Sequence, residues 1–442
     1  MKREKKIPHP GEVREEQDQV LLSVEDNGKG KENSTNDATR LPNSKYIRVD
    51  TRYFLNEEMP VWVGKEVRLV RKLTSWTKEA IKEDSNKKNY LDDIPRFRGF
   101  ITYPSHTNYQ EVVFGQFVNQ YKPIPAKPQK GCCDKTMAFL SHIFGRQLYL
   151  GLDYLQLLYL EPLQMLPILL LVSNERNTGK TTFLRFLRLL FGENVTINRN
   201  DEFQDRFNSS WTNKLLICVD EVLLNTEKAA QDIKYLSTAD SFKTESKGVD
   251  KQEGHFFGKF VMTSNNEDNP IYIEPGEIRY WVRKISPLKT HNERLLEELE
   301  EEVPAFLHFL QHRKMTTQEP GRSRMWFWPN EIETAALKRI ENSHMSPLQK
   351  NIKSILLEIM ERQDVEEVNF SLGDMVRFMQ DYGGKTDKGQ IREALNKRGF
   401  KVGEKSSYPA YMYYDSQTGT YNQERKRDRY YTITKKDLEQ KF

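Results

Sequence analysis

The stretch Leu169-Leu-Leu-Val-Ser-Asn-Glu-Arg-Asn-Thr-Gly-Lys-Thr-Thr-Phe183 is the most informative part of the sequence for the fold. Its first residues, Leu169–Val172, are all apolar and predict a buried strand, and Phe183–Phe191 predicts a helix. Between them, Gly179-Lys180-Thr181 ends a phosphate-binding loop, because a strand, loop and helix in this order aim backbone N–H groups and a helix N-terminus at one point. The sequence therefore predicts a nucleotide-binding α/β domain.

The loop residues predict a site for ATP and Mg²⁺. We expect Lys180 to reach the β- and γ-phosphates and the Thr181 hydroxyl to bind Mg²⁺. The usual pattern begins with a glycine five residues before the second glycine, and here that position is Asn174. Asparagine tolerates positive φ better than most residues, so the loop can still turn. The predicted nucleotide-binding residues of the loop are Asn174, Asn177, Thr178, Gly179, Lys180, Thr181 and Thr182.

A second apolar strand, residues 214–221, ends in Asp220 and Glu221. An Asp-Glu pair after an apolar run is usually an ordinary strand end, but this one lies about 40 residues after the phosphate loop, in a chain with room for one parallel sheet, which favours a role in the site. We expect Asp220 to complete the Mg²⁺ shell together with Thr181. Glu221 is expected to polarise the attacking water.

A third strand, residues 259–266, carries an amide at its tip. Asn265 can orient a water or sense the γ-phosphate beside the two acids, although Thr263-Ser264-Asn265 could equally begin a turn. Beyond this strand Arg279 leads another apolar stretch, where ring-forming ATPases keep the finger that reaches a neighbour's γ-phosphate. Two alternatives compete with that role: a buried ion pair with Glu277, and a DNA-facing role for Arg283.

Taken in order, these four elements resemble the superfamily-3 helicases, and most closely the phage, plasmid and mobile-element branch related to poxvirus-type primase-helicases. The resemblance covers about residues 46–315 and is most specific over 169–285. It implies a ring of six subunits that threads single-stranded DNA. It also implies a basic hairpin between the second and third motifs that grips phosphates in the pore, here carrying Lys243, Lys247 and Lys251.

Composition limits the remaining possibilities. Over 442 residues the formal net charge is only +4, so a nucleic-acid surface has to be local. The three cysteines have no metal-ligand spacing, and we expect free thiols in the cytoplasm of a bacterial or phage-infected cell. The most apolar span, residues 155–172, contains acidic, amide and proline residues, so we expect no membrane helix.

Changes in composition and hydrophobic pattern along the chain predict five regions. The aromatic and basic residues of the α+β module (45–133) could bind single-stranded nucleic acid, or form a core with a solvated basic face. His142 lies on the periodic apolar face of 134–160, and we expect it to be structural. The regions are a disordered tail (1–44), an α+β module (45–133), a P-loop ATPase domain of AAA+ type with a helical collar (134–315), a linker (316–344) and a winged-helix domain (345–442).

The last region combines three predicted helices with a predicted two-stranded wing. From Lys385 to Phe442 there are 14 Lys/Arg against 8 Asp/Glu, a local excess that suits phosphate contacts with duplex DNA. Winged helices also dock proteins, so that alternative stays open. The candidate DNA contacts are Lys388, Arg392 and Arg398 on the recognition helix and Arg425, Lys426 and Arg427 on the wing.

The sequence therefore favours a DNA-stimulated ATPase and replicative helicase of a phage or mobile element. Two alternatives remain: an ATP-switched initiator that remodels its origin without processive unwinding, and a non-hydrolysing DNA-binding regulator whose loop has decayed at Asn174. We find no acid cluster of the primase type before residue 134, so we expect any priming to come from a separate primase or replication protein.

Overall fold

The computed structural model describes residues 38–63, 66–85, 89–200, 211, 213–224, 227–238, 241–246, 249–274, 276–290, 292–318, 325–381, 385–415, 417 and 419–442. They form two compact units. The first comprises the described parts of Met1–Ile47 and Tyr53–Pro95, and the second those of Arg48–Arg52 and Arg96–Phe442. The boundary at Pro95 falls inside the predicted 45–133 module. Residues 1–37 of the predicted tail lie outside the described residues.

The first unit is built on a long antiparallel hairpin and one short helix. The hairpin strands β2 and β3 pair from Tyr53 and Trp76 to Val63 and Glu66. Its small core contains Tyr46, Leu55, Ile81 and Ile94. The elements, including the boundary strand β1, are β1 (Tyr46–Val49), β2 (Arg52–Val63), β3 (Glu66–Trp76) and α1 (Lys78–Asp84).

The second unit begins with short strands and two helices. Helical spacing of apolar residues over 134–160 predicts helix, and two helices occupy this stretch. Both bury apolar side chains in the same core. The elements are β4 (Arg96–Phe97), β5 (Gly99–Ile101), β6 (Val112–Val113), β7 (Phe117–Asn119), α2 (Asp134–Phe144) and α3 (Leu148–Leu160).

A five-stranded parallel sheet forms the centre of this unit, in the order β14-β8-β13-β10-β9. The predicted α/β core is confirmed. The elements of this part are β8 (Ile168–Val172), α4 (Lys180–Phe191), β9 (Val195–Arg199), β10 (Leu216–Asp220), α5 (Glu227–Thr238), β11 (Ser241–Ser246), β12 (Val249–His255), β13 (Lys259–Ser264), β14 (Tyr280–Lys284) and α6 (Leu295–His312).

Both faces of the sheet are covered, which explains why its strands are almost continuously apolar. On one face Leu169 and Leu171 pack with residues of α2, α3, α4 and α6. On the other face Leu170 and Val172 pack with residues of α5. The alternation follows from the two-residue period of a strand. No helix among the described residues is both long and apolar enough to span a membrane.

The strand order determines which loops meet. β13 lies between β8 and β10, so the third predicted motif is inserted between the first two. All carboxyl ends of a parallel sheet lie at one edge, and the residues that follow β8, β10 and β13 therefore share that edge. The antiparallel hairpin β11–β12 instead joins α5 to the amino end of β13, at the opposite edge.

The chain then continues into helices where a linker is predicted over 316–344. One of them, α8, buries Leu337 and Ile340 against the central sheet, so this part of the prediction is wrong. The C-terminal elements have a separate core. The elements are α7 (Pro329–Ile332), α8 (Ala335–Ser343), α9 (Pro347–Gln363), β15 (Glu367–Phe370), α10 (Leu372–Asp381), α11 (Lys388–Lys397), β16 (Lys405–Asp415), β17 (Thr420–Arg429), β18 (Tyr431–Thr434) and α12 (Lys435–Lys441).

Candidate nucleotide site

The loop after β8 leaves the N-terminus of α4 open to an anion. Gly179 has a φ of 84°, which favours glycine, and a Cβ at this position would lie 3.1 Å from the Phe139 ring. No side chain caps α4, so its first N–H groups stay available. A helix N-terminus of this kind attracts negative charge. The local geometry fits a phosphate group.

Lys180 lies inside the loop. Its Nζ donates to the carbonyl oxygens of Ser173, at 3.0 Å, and Glu175, at 3.5 Å. The residue is only 7% exposed, and this burial lowers the pKa of its amine. The ammonium group is held in place by carbonyl groups of the loop's own backbone.

Thr181 and Asp220 meet at the carboxyl edge of the sheet. The Thr181 hydroxyl donates to Asp220 at 3.1 Å to Oδ2 and 3.3 Å to Oδ1. Within the described residues there is no group of three or more His, Cys, Asp or Glu side chains that could hold a metal. A hydroxyl and one carboxylate are nevertheless the sparse donor set that suits Mg²⁺, which takes its other ligands from phosphates and water. The residues therefore fit the predicted MgATP.

Glu221 is held in an unusual backbone conformation. Its φ of 58° is left-handed, a conformation that costs roughly 1–3 kcal/mol for a residue with a side chain. Thr263 fixes it, since its hydroxyl accepts the Glu221 N–H and its carbonyl accepts the Val222 N–H. Asn265 donates its side-chain amide to Glu221 Oε1 at 3.0 Å. The predicted meeting of Glu221 and Asn265 is thus present in the structure.

Thr263 is a residue that the sequence did not single out for the site. Besides accepting the Glu221 N–H, its hydroxyl donates to Asp220 Oδ1 at 2.5 Å. One buried hydroxyl therefore orients both acids. A threonine in a Thr-Ser-Asn run is also compatible with a turn, and only the placement of β13 beside β10 reveals this contact.

We expect replacement of Thr263 by valine, which has the same shape but no hydroxyl, to reduce ATP turnover by roughly 10- to 100-fold, the usual effect of removing a group that orients metal ligands. Thr263→Ser keeps the hydroxyl and should retain most of the rate. The measurement is steady-state ATP hydrolysis for the three proteins, with thermal unfolding of each as a check on folding. Equal rates for the valine and serine variants would contradict this role.

Asn174 does not supply the positive φ that the sequence led us to expect. That conformation occurs at Asn177, with φ 55°. Asn174 instead forms two hydrogen bonds with Glu267: its N–H donates to Oε1, and its side-chain carbonyl accepts the Glu267 N–H, both at 3.0 Å. Glycine could form only the first of these. The departure from the usual pattern therefore adds a contact between the loop and the segment that follows β13.

The remaining loop residues are supported from outside the loop. His142 on α2 has Nε2 at 3.0 Å from the Thr178 carbonyl, so the expected structural role includes support of the loop. Asn177 accepts the N–H of Leu288. Thr178 is buried, and Thr182 lies in the first turn of α4.

Arg279 lies away from this site in its own subunit. It precedes β14, at the amino edge of the sheet, and its guanidinium forms an ion pair with Glu277 at 3.1 Å, which is one of the alternatives considered above. Arg283 donates to the Phe144 carbonyl and to Gln147, and these internal contacts disfavour the alternative of a DNA-facing Arg283. The assignment of Arg279 as a finger stays a prediction.

The predicted DNA-contact residues differ in how accessible they are in the structure. Lys243 and Lys251 lie on the two strands of the hairpin β11–β12, and Lys247 lies outside the described residues. Arg398 is only 6% exposed and donates to Gln349, so it is not available on the surface. That prediction is wrong because Arg398 caps the C-terminus of α11 and packs inward over the Phe442 ring.

Lys426 is also committed to an internal contact. Its Nζ lies 2.9 Å from the buried carboxylate of Asp374, which also accepts a hydrogen bond from Tyr408. Burial raises the pKa of Asp374, but the hydrogen bonds from Lys426 and Tyr408 outweigh it and hold that pKa below its ordinary value. Lys426 therefore anchors β17 to α10, which carries Asp374. The remaining candidates are exposed: Lys388, Arg392, Arg425 and Arg427.

Comparison with solved structures supports this fold. The C-terminal region, residues 305–718, of NrS-1 aligns with a TM-score of 0.58 over 87% of this chain and 95% of that chain, at 15% sequence identity. This chain therefore shares the fold of that region. A second NrS-1 structure, the A form of the same region, aligns with the same TM-score at 16% identity, over 87% of this chain and 94% of that one.

Three further comparisons add little to this relationship. A JC virus helicase aligns over 58% of this chain with a TM-score of 0.28 and 14% identity, too low to support an argument. A sequence family described as a family of unknown function, DUF5906, matches residues 171–279, which contain the phosphate loop, both acids, Asn265 and Arg279. No curated protein matches the sequence.

Proposed function

We propose that the chain is an ATP-dependent DNA helicase that forms a ring, hexameric by its resemblance, and moves along single-stranded DNA during replication of a phage or mobile element. The observation that carries the proposal is the convergence of Lys180, Thr181, Asp220, Glu221 and Asn265 at one edge of the parallel sheet. These residues lie at or beyond the carboxyl ends of three separate strands and provide a phosphate cradle, a metal site and an oriented carboxylate.

The chemistry assigned to this edge is phosphoryl transfer to water. Lys180 and the N–H groups of the loop hold the phosphates, while Thr181 and Asp220 are the residues that would hold Mg²⁺. Bound Mg²⁺ supplies charge neutralisation on the phosphate oxygens. Glu221 accepts a proton from water, and the amide of Asn265 orients its carboxylate. In a ring, Arg279 of one subunit would stabilise the charge that develops in the site of its neighbour.

DNA contacts are assigned to two surfaces. The first is the hairpin β11–β12, whose lysines Lys243, Lys247 and Lys251 would grip phosphates in the pore. The second is the C-terminal region, which we propose is a winged-helix domain that binds duplex DNA. Within it, β16 and β17 pair so that Lys405 lies opposite Arg429 and Ser407 opposite Arg427. A separate primase would supply primers.

One side of this wing is strongly basic. Residues directly opposite each other share a face, and residues two apart on one strand share it as well. The wing face is therefore formed by Lys405, Arg425, Arg427 and Arg429, all of them exposed. Lys426 is excluded because it belongs to the other face.

We expect replacement of Arg425, Arg427 and Arg429 by alanine to weaken duplex binding and to reduce its salt dependence. Each lost phosphate contact should lower the slope of log affinity against log salt concentration by roughly 0.9. The measurement is fluorescence anisotropy with a labelled duplex over a range of salt concentrations. The matched triple lysine variant keeps the charges and should retain the slope. An unchanged slope in the alanine variant would move the duplex contact elsewhere.

The test of the proposed function is ATP hydrolysis with and without single-stranded DNA, on samples whose mass is measured by size-exclusion scattering. We expect turnover that rises with single-stranded DNA in a large ring, together with displacement of a strand from a forked duplex. No turnover under any of these conditions would overturn the helicase proposal.

A second candidate is an ATP-switched initiator that melts only its own site, and the basic wing face favours it because an initiator must bind duplex DNA first. The same strand-displacement assay separates the two functions. An initiator would assemble with nucleotide and would hydrolyse ATP at a rate indifferent to single-stranded DNA, without unwinding a generic fork. The third candidate, a regulator with a decayed loop, is disfavoured by the complete set of site residues.

A further inference from the structure

Glu267 connects the phosphate loop to elements beyond the nucleotide site. It follows β13 by three residues and forms the reciprocal pair of hydrogen bonds with Asn174 described above. Its side chain is only 4% exposed. A carboxylate buried to this degree requires charged or hydrogen-bonding partners, because an unpaired buried charge is costly. The partners of Glu267 therefore show which elements would move when the conformation of the loop changes.

The second carboxylate oxygen, Oε2, meets two cations. Lys284 at the end of β14 lies 2.8 Å away, and Arg339 on α8 lies 3.1 Å away. Arg339 also contacts Asp268, the residue next to Glu267. Burial alone would raise the pKa of Glu267, but the hydrogen bonds and charges of Lys284, Asn174 and Arg339 hold it below its ordinary value. The carboxylate is therefore ionised and shared between the loop and α8.

α8 lies between the central sheet and the C-terminal region. It packs on the sheet through Leu337 and Ile340, and the Thr334 hydroxyl at its start donates to the Val282 carbonyl of β14. At its other end His344 contacts the Ile271 carbonyl, and α9 of the C-terminal core starts three residues later. Because the connection between α8 and α9 is short, a displacement of α8 would move the start of the C-terminal region.

We propose that Glu267 is a positioning residue that couples the occupancy of the phosphate loop to α8, and through it to the C-terminal region. The inference rests on the proposed binding of nucleotide at this loop. A phosphate engages the backbone N–H groups of the loop, and the Asn174 N–H is held by Glu267. When a bound phosphate changes the conformation of the loop, the hydrogen bonds between Asn174 and Glu267 change. The Glu267 carboxylate then shifts, and its ion pair with Arg339 shifts with it. Asn174 serves this coupling better than glycine because its side chain adds the second bond.

The experiment compares hydrogen–deuterium exchange of α8 with and without Mg²⁺ and a non-hydrolysable ATP analogue. In the wild type, saturating analogue should change the exchange rate of the α8 amides by roughly 5-fold or more, a typical size for coupling between sites. In Arg339→Ala this change should disappear, while the analogue affinity measured by calorimetry stays within about 3-fold. A merely structural role for Arg339 would alter exchange equally in both nucleotide states.

Lys338→Ala provides the matched control, since Lys338 lies beside Arg339 and pairs with Glu333. It should retain the nucleotide-dependent change. Asn174→Gly removes the side-chain hydrogen bond to Glu267 and should reduce the change in α8 exchange at saturating analogue. This variant tests the inference even if Arg339→Ala folds poorly. A wild type that binds the analogue without any change in α8, or an Arg339→Ala protein that keeps the full change, would overturn the inference. Absence of analogue binding would instead overturn the proposed function, and the inference with it.

Discussion

Replacing Lys180 by alanine is expected to abolish ATP hydrolysis, with a loss of more than roughly 10³-fold, as for removal of a charged clamp on a transferring phosphoryl group. The amine is nearly buried and is held by the carbonyls of Ser173 and Glu175, so water cannot readily replace it. The measurement is steady-state phosphate release, together with calorimetric titration of an ATP analogue.

The matched control is Lys214→Ala, because Lys214 precedes β10 at the amino edge of the same sheet and donates to the Glu193 carbonyl. We expect this variant to hydrolyse ATP at nearly the wild-type rate. A Lys180→Ala protein that is folded by circular dichroism and still turns over at more than a tenth of the wild-type rate would show that the loop is not the catalytic site.

The sequence predicts the part of the site that depends on local patterns of apolar residues and on residue spacing. Leu169–Val172 is apolar at every position because both faces of its strand are covered, and such a run is typical of a buried strand in a parallel sheet. Gly179 and Lys180 stand at fixed offsets from that strand. Asp220 was recognisable because it ends a second such run.

The contacts that could not be predicted depend on strand order. Thr263 reaches both acids because β13 lies beside β10, and Glu267 meets Asn174 because β13 also lies beside β8. A sequence does not state which strands are neighbours. The hydrogen-bond partners of Thr263 and Glu267 were therefore hidden, although both residues lie within four positions of the recognised Asn265.

Charged residues in the C-terminal region illustrate a different limit. Arg398 and Lys426 were counted with the DNA contacts because basic residues on a helix end and a wing are usually exposed. Arg398 packs against Phe442 and Gln349, and Lys426 neutralises Asp374. Local charge density predicted the basic surface but not which individual cations stabilise the fold.

The predicted linker differs from the structure for a related reason. Residues 316–344 are predicted as a linker from the change in composition along the chain, but Leu337 and Ile340 stand three apart and fill one face of α8. Apolar residues at that spacing are typical of a helix that packs on a core. A count of helical spacing over 334–343 would have found the helix, whereas its ion pairs with Glu267 and Asp268 required the structure.

Replacing Arg279 by alanine is expected to reduce turnover in the assembled ring by roughly 10³- to 10⁵-fold, the range for loss of an arginine finger. Arg279 lies at the amino edge of the sheet, opposite to its own phosphate loop, so any catalytic role must be exerted on a neighbouring subunit. Nucleotide affinity should change little. Arg279→Lys keeps the charge beside Glu277 but loses the planar fork, and it should preserve stability while losing most of the rate.

Mixing two inactive proteins tests the assignment directly. In a ring assembled from Arg279→Ala and Lys180→Ala subunits, some interfaces combine an intact Lys180 from the first protein with an intact Arg279 from the second. Those interfaces should recover hydrolysis, and the mixture should exceed the activity of either protein alone. If Arg279 only anchors Glu277, the mixture will show no recovery and Arg279→Ala will instead unfold at a lower temperature than the wild type. Recovery therefore separates a role between subunits from a structural ion pair within one.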